Sequence, residues 1–306
     1  MKFTKTAVAV AIAGIAAAPM MAAAETTLSG AVQINLEGSD IDDNLDTPDV
    51  NEEDSGDIQF AAGDVNVQLN AQQQLTSGIT GFGNFRLDAD SFSGGDLSGD
   101  SIFLGVRGGF GEFRFGEAIV VSEYGQVSND IFDITGDIDD GVSYEGSFGG
   151  FGIGLSWAPN DNTDVVGVGL RYSIGGFALA AGWEERENDV AFSVGGSFAF
   201  AGFNVAAHFG STESGAEPGE DEVEITGVCV GYGIGKLGIS VTLMNQDNAA
   251  SGFENVARLD VGYDLGGGLN ISTRVTTNMN GIDIVAATGE EVTDFTDYRI
   301  QLAKSF

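Results

Sequence analysis

The side chains in this sequence that could do chemistry are few in kind: many carboxylates, a handful of arginines, one histidine and one cysteine. His208 lies between Ala207 and Phe209 in an alternating stretch, so it belongs to the polar face of a strand. A hydrolytic site would set that imidazole beside a nucleophile or carboxylates as an acid–base partner. No serine motif accompanies it, and catalysis is not expected. Cys229, in EITGVCVGYG, has no second cysteine with which to form an intramolecular disulfide, and nothing with metal-ligand spacing joins it. In SDIDDNLDTPDVNEED, Asp40, Asp42 and Asn44 have the spacing that opens a calcium loop. Leu45 stands where that loop needs its turn glycine and Asn51 where it needs its closing carboxylate, so the stretch is an acidic surface loop. Gly150, Gly152 and Gly154 imitate a nucleotide loop, but no helix follows them. No cofactor and no metal is expected.

What remains is charge. Twelve basic residues face 46 acidic ones, a formal net charge of −34, which disfavours nucleic acid as a partner. The arginines obey a parity. Phe85 and Leu87 oppose Arg86 and Asp88, and Leu104 and Val106 oppose Arg107. Phe113 and Phe115 flank Arg114; Leu259 and Val261 oppose Arg258 and Asp260; Ile271, Thr273 and Val275 oppose Arg274; Tyr298 and Ile300 oppose Arg299. A charge on a lipid-facing strand position near the bilayer midplane costs about 2–4 kcal/mol. If the apolar parity meets hydrocarbon, Arg86, Arg107, Arg114, Arg258, Arg274 and Arg299 therefore share a wet face. A second group, Glu123, Asp130, Asp133, Asp137, Asp139 and Asp140, lies in the connection from 118 to 140, which holds no Lys or Arg. A connection that long inside a compact fold is usually functional or disordered. Either the basic wall faces these acids across a lumen, or each arginine is neutralised on its own wall, since Asp88, Glu112, Asp260 and Asp297 stand two residues from Arg86, Arg114, Arg258 and Arg299.

The elements that must carry these residues are strands. Alternation places sixteen of them near 26–36, 64–75, 79–90, 100–107, 112–118, 141–147, 151–159, 163–173, 177–187, 189–200, 203–212, 222–234, 237–247, 255–264, 269–279 and 295–306. Short glycine turns, such as Thr76 to Gly78, Phe148 to Gly150 and Ala201-Gly202, alternate with longer acidic connections. After residue 24 no apolar run is long enough for a membrane helix, so a membrane location requires a closed barrel. The 47 glycines, 21 phenylalanines and mean hydropathy of +0.07 agree. The predicted class is all-β: a transmembrane antiparallel β-barrel of 16 strands with short periplasmic turns and longer extracellular loops.

Residues 1–24 read as a secretory signal peptide: Lys2 and Lys5, an apolar run from Ala7 to Ala18, and Ala22-Ala23-Ala24 as the cleavage site. The barrel then occupies 25–306, with ten basic residues against 46 acidic. On its last strand Phe306, Lys304, Leu302, Ile300 and Tyr298 share one face, and Lys304 can reach water at the membrane boundary.

Two stretches, LGVRGGFGEFRFGE and GVSYEGSFGGFGIGLSW, resemble the fourth-to-fifth and sixth-to-seventh strand hairpins of the Gram-negative general porins, the 16-stranded trimeric outer-membrane family. The C-terminal Phe306 is similar to the terminal signature of such barrels. The resemblance implies a third loop folded into the lumen, a homotrimer, contacts with outer-membrane lipid and lipopolysaccharide, and passive passage of ions and small hydrophilic solutes. Glu117 and Ser143 depart from it, standing where many members carry arginine. Strand glycines and alanines would then serve close packing at subunit contacts or beneath the inward loop. The charge balance predicts cation preference at low salt, which screening would suppress near 1 M, where the Debye length is about 3 Å. A substrate-specific channel would show an aromatic track along the lumen, but the aromatics fall mainly on the outward parity. A secreted adhesive or structural β-protein would be polar on both faces.

Overall fold

The structure is a computed structural model. It describes residues 25–42, 58–89, 97–126, 138–159, 164–187, 189–214, 222–248, 252–280, 284–285, 291–292 and 294–306. The signal-peptide expectation for 1–24 lies outside these residues, as do Asn44, Leu45 and Asn51 of the calcium-loop comparison.

In chain order the strands are β1 (Glu25–Asp42), β2 (Gln59–Thr76), β3 (Ile79–Ala89), β4 (Leu97–Gly108), β5 (Gly111–Ala118), β6 (Ile138–Phe148), β7 (Phe151–Ala158), β8 (Val165–Ile174) and β9 (Phe177–Arg186). They continue as β10 (Asp189–Phe200), β11 (Phe203–Ser214), β12 (Glu222–Ile234), β13 (Leu237–Asn248), β14 (Gly252–Gly266), β15 (Leu269–Asn280), β16 (Ile284–Val285), β17 (Glu291–Val292) and β18 (Asp294–Ser305). β16 and β17 form a separate small hairpin. The other sixteen close into one antiparallel barrel in which every strand pairs with its sequence neighbour and β1 pairs with β18. At that junction Ile34 lies opposite Leu302, and Gly30 and Phe306 exchange two backbone hydrogen bonds of 3.1 Å. All sixteen predicted strands are present, with ends displaced by a few residues. The largest shifts are outward: β1 runs on to Asp42, taking Asp40 and Asp42 of the expected acidic loop into its ladder with β18, β2 begins at Gln59 and β6 at Ile138. Asp139 and Asp140, expected in the loop, open β6 at an irregularity, where its pairing with β5 passes from Gly116–Gly141 to Ala118–Ile138.

Alternation decides which face is which. On β8, Val165, Gly167 and Gly169 are buried while Val166, Val168 and Leu170 are exposed. Leu155, Trp183, Val194, Leu243, Leu259 and Leu302 continue the exposed apolar face around the ring. An apolar band of that extent would drive association in water and is suited to hydrocarbon. No helix among the described residues is long and apolar enough to cross a membrane. Near the short turns the band ends in outward aromatic pairs, Phe113–Tyr144, Phe151–Tyr172, Phe177–Phe198 and Phe203–Tyr232, with ring centroids 4.4–4.8 Å apart. Such a girdle marks the interface between apolar core and headgroups.

Seven two-residue turns gather at the end where β1 starts and β18 finishes. In three of them both central residues have positive φ: Gly149 and Gly150 at +58° and +91°, Ala201 and Gly202 at +51° and +88°, and Gly267 and Gly268 at +65° and +78°. This is the primed geometry that matches the twist of the flanking strands. Replacing Leu259, mid-strand and outward on β14, by arginine is expected to lower stability by about 2–4 kcal/mol. The same change at inward Ser272 on β15 should cost far less, the two being compared by urea titration of barrels folded into lipid vesicles.

The lumen wall and the inward turn

Six of the predicted wall residues take the inward parity, and so do Arg171 on β8 and Arg186 on β9, which the sequence reading missed. All eight arginines after residue 24 thus face the lumen. Most are paired on their own wall. Arg86 Nε donates to Asp88 (3.0 Å), Arg114 Nε to Glu112 (2.6 Å), Arg186 Nε to the fully buried Glu184 (2.6 Å) and Arg258 Nε to Asp260 (2.9 Å). Arg274 lies directly opposite Asp260 across the β14–β15 ladder and shares its carboxylate at 2.7 Å. Arg299 pairs with Glu37 of β1 (2.6 Å) rather than with Asp297. Cross-strand register, invisible to spacing along one strand, supplied that partner. Arg107 is held by the amide of Gln72 and lies over the Phe82 ring, 5.1 Å from its centroid.

The basic wall is less continuous than expected. Arg258, Arg274 and Arg299 occupy adjacent strands, but β1 and β2 separate them from Arg86. Amides line that gap from both sides: Gln301 donates to Gln33 (2.9 Å) and Asn35 (3.1 Å) and Asn35 to Glu37 (3.1 Å) where β18 meets β1, and Asn84 donates to Asn70 (2.8 Å) where β3 meets β2. His208 and Cys229 also take the inward parity; His208 is 4 % exposed, its ring lying against Gly227.

From Ala118 the chain leaves β5 and turns into the barrel. A hydrophobic cluster of Ala118, Ile138, Ala158 and Val165, with Val120 against it, fastens the base of this connection. A single 3-10 turn, η1 (Ser122–Gly125), then lies against the inner wall of β8 to β11. Its seat is a row of cross-strand partners: Glu145 on β6, Gly154 on β7, Gly169 on β8, Gly182 on β9 and Ser193 on β10. A Cβ at Gly182 would stand 2.7 Å from the Val121 carbonyl carbon and 2.9 Å from Ser122 Cα; one at Gly195, on the same wall, would stand 3.0 Å from the Gly125 carbonyl carbon. The missing side chains let backbone rest on backbone. Ser193 Oγ fixes the register, accepting from Gly125 N (2.9 Å) and donating to the Ser122 carbonyl.

Beside this seat Tyr124 OH donates to Glu145 Oε1 (2.6 Å), and Arg171 Nη1 approaches the same oxygen at 3.4 Å. Burial, and the carboxylate that accepts its hydrogen bond, raise the Tyr124 pKa well above the usual phenol value, so the hydroxyl remains a donor. Of the predicted loop acids, Glu123 lies half-buried in the turn, and Asp139 and Asp140 are exposed at the start of β6, where pairing with β5 is irregular. Asp130, Asp133 and Asp137 lie outside the described residues. Among the described residues, Phe82, Phe103 and Tyr124 are inward exceptions to the outward rule. Each carries a guanidinium over its face, from Arg107, Arg114 and Arg171 at 5.1, 4.9 and 3.4 Å.

A closed sixteen-strand ring with a polar lumen and an inward third connection is the setting in which family likeness becomes informative. The Gram-negative porin family profile matches residues 6–282. The chain belongs to the Gram-negative porin family. This porin also superposes on solved barrels. The loop L8 deletion mutant of OmpT, an outer-membrane protein of Vibrio cholerae, gives a TM-score of 0.72 at 15% identity over 93% of this chain and 100% of that one. The trimer form of in-vitro folded OmpT gives 0.68 at 15% identity over 93% and 100%. The anion-selective porin of Comamonas acidovorans gives 0.70 at 12% identity over 92% and 100%. Identities this low bear on the fold alone. No curated protein matches the sequence. Membership of the family makes the barrel an outer-membrane channel for solute diffusion.

The ion pairs of this porin differ in burial. Arg258 is 8 % exposed and Arg86 36 %. Asp260→Asn, which removes a carboxylate shared by two arginines, is expected to cost about 1–3 kcal/mol, against under about 1 kcal/mol for Asp88→Asn in urea unfolding.

Proposed function

We propose that this porin is a general diffusion channel that passes ions and small hydrophilic solutes and prefers cations. The observation that carries this reading is the distribution of charge. Arg86, Arg114, Arg186, Arg258, Arg274 and Arg299 each have a carboxylate of the wall within 3.0 Å, so their fields are largely cancelled locally. The long connections contain no Lys or Arg, which leaves the loop acids as the uncompensated charge. In this reading Glu123, Asp130, Asp133, Asp137, Asp139 and Asp140 supply the negative side of the constriction. Arg86, Arg107, Arg114, Arg258, Arg274 and Arg299 line the opposing and lower wall. Rings and rows of charge are how pores discriminate among ions, and a lumen of one dominant sign concentrates its counter-ions.

Passage is passive, with no catalytic step. The inward aromatics support general diffusion over a substrate-specific track, because each is covered by an arginine instead of being presented to a solute. By family likeness the assembly is a homotrimer in outer-membrane lipid and lipopolysaccharide, delivered by a signal peptide at residues 1–24. Reversal potentials in planar bilayers test the selectivity. The potassium-to-chloride permeability ratio should exceed one in dilute salt and approach one near 1 M, where the Debye length is about 3 Å. Asp139→Asn with Asp140→Asn, and Asp133→Asn with Asp137→Asn, should each lower the dilute-salt ratio. An anion-selective wild-type channel overturns the proposal.

A further inference from the structure

We infer that Tyr124 is the positioning residue that sets the open cross-section of this pore, by acting as a plug between the inward turn and the wall. The inference rests on the channel reading above and adds to it one side chain whose removal should change what passes. Tyr124 is 8 % exposed although it lies within a water-facing lumen. Its ring covers Gly154 and Gly169, which are direct partners across the β7–β8 ladder. A Cβ at Gly154 would stand 2.7 Å from Tyr124 Cζ, and one at Gly169 would stand 2.6 Å from Cε2 and 3.0 Å from Cγ. The ring therefore fills a hollow that two absent side chains create.

Its other contacts come from the same patch of wall. Glu145, the β6 partner of Gly154, accepts a hydrogen bond of 2.6 Å from the phenol hydroxyl. Arg171, two residues beyond Gly169 on the same face of β8, sets its guanidinium 3.4 Å from the ring centroid. Arg171 also approaches Glu145 at 3.4 Å, and Arg114 Nη2 lies 4.0 Å from the same carboxylate. The ring is thus held between a glycine floor and a cationic cover, with its hydroxyl fixed at the rim. Large aromatic area combined with a satisfied polar tip is the arrangement that makes a buried tyrosine an anchor, and stacking under a guanidinium strengthens it. Beside it the Val121 side chain lies against Gly167 and the Ser193 hydroxyl holds the backbone of the turn; Tyr124 contributes the aromatic side chain that spans from the turn into the wall.

The turn and the barrel are separable by mutation, because Tyr124 is not part of the strand ladder. Tyr124→Ala empties the hollow from the lumen side, and Gly169→Ala fills it from the wall side. Each should let the turn leave its seat. In planar bilayers both variants should show higher single-channel conductance and more open-channel noise than wild type. In liposome swelling the gain in influx should grow with sugar size, which is the signature of a wider passage. Tyr124→Phe keeps the ring on the glycine pair and should restore the wild-type size dependence. Heat-modifiable migration in detergent gels checks that each barrel is closed. If either closed-barrel variant shows wild-type conductance and size dependence, Tyr124 does not set the cross-section. If wild type itself fails to conduct, the channel reading fails instead.

Discussion

Hydrocarbon offers no partner to a peptide N–H or C=O, and that single constraint organises this molecule. A spanning strand must find both of its neighbours, so the sheet has to close on itself, and closure fixes an inside and an outside for every residue. Leu155, Leu243, Leu259 and Leu302 face outward for the same reason that all eight arginines face inward. The aromatic pairs near the short turns, Phe151 with Tyr172 and Phe203 with Tyr232, mark where the hydrocarbon ends. Bulges at Val32/Ile34, Asn84/Arg86 and Asn255/Val256 adjust strand curvature without leaving an edge unpaired.

Inside the ring the same economy of partners governs charge. An arginine in a lumen flanked by low-dielectric walls is better placed beside its own carboxylate than alone, and the wall supplies one two residues away or one strand across. The consequence is a wall whose cations are structural, stiffening the ladder where β14, β15, β18 and β1 meet. The excess acid of the chain is left to other parts of the lumen and to the loops. The inward turn meets a different kind of surface. Where Gly154, Gly169 and Gly182 follow one another across three strands, the wall loses its side chains and receives the Tyr124 ring at the first two and the backbone of the turn at the third.

Much of this was legible in the sequence, and the parts that were not have a common cause. Period-two alternation has to persist wherever one face meets lipid, so the sixteen strands and the inward parity of Arg86, Arg258 and Arg274 follow from local pattern. The pairs Arg86–Asp88, Arg114–Glu112 and Arg258–Asp260 also follow, because two residues on one strand face are neighbours whatever the register. Partnerships between strands do not. Arg299 with Glu37, Arg274 with Asp260 and Glu145 with Tyr124 depend on register set by turns and bulges many residues away. Arg171 on β8 and Arg186 at the end of β9 obey the same parity. The glycines beneath the turn were readable as close packing but not as a row.

The order of strands around the ring has a kinetic meaning. Fifteen of the sixteen adjacent pairings join segments that follow one another along the chain, so they can form as local hairpins and extend as a growing sheet. The remaining seam, β1 to β18, joins the two extremes of the polypeptide through contacts such as Gly30 with Phe306. Loop-closure entropy makes such distant pairing the slow event. Until that seam zips, two unpaired edges persist, and a nascent sheet with open edges needs shielding from others of its kind.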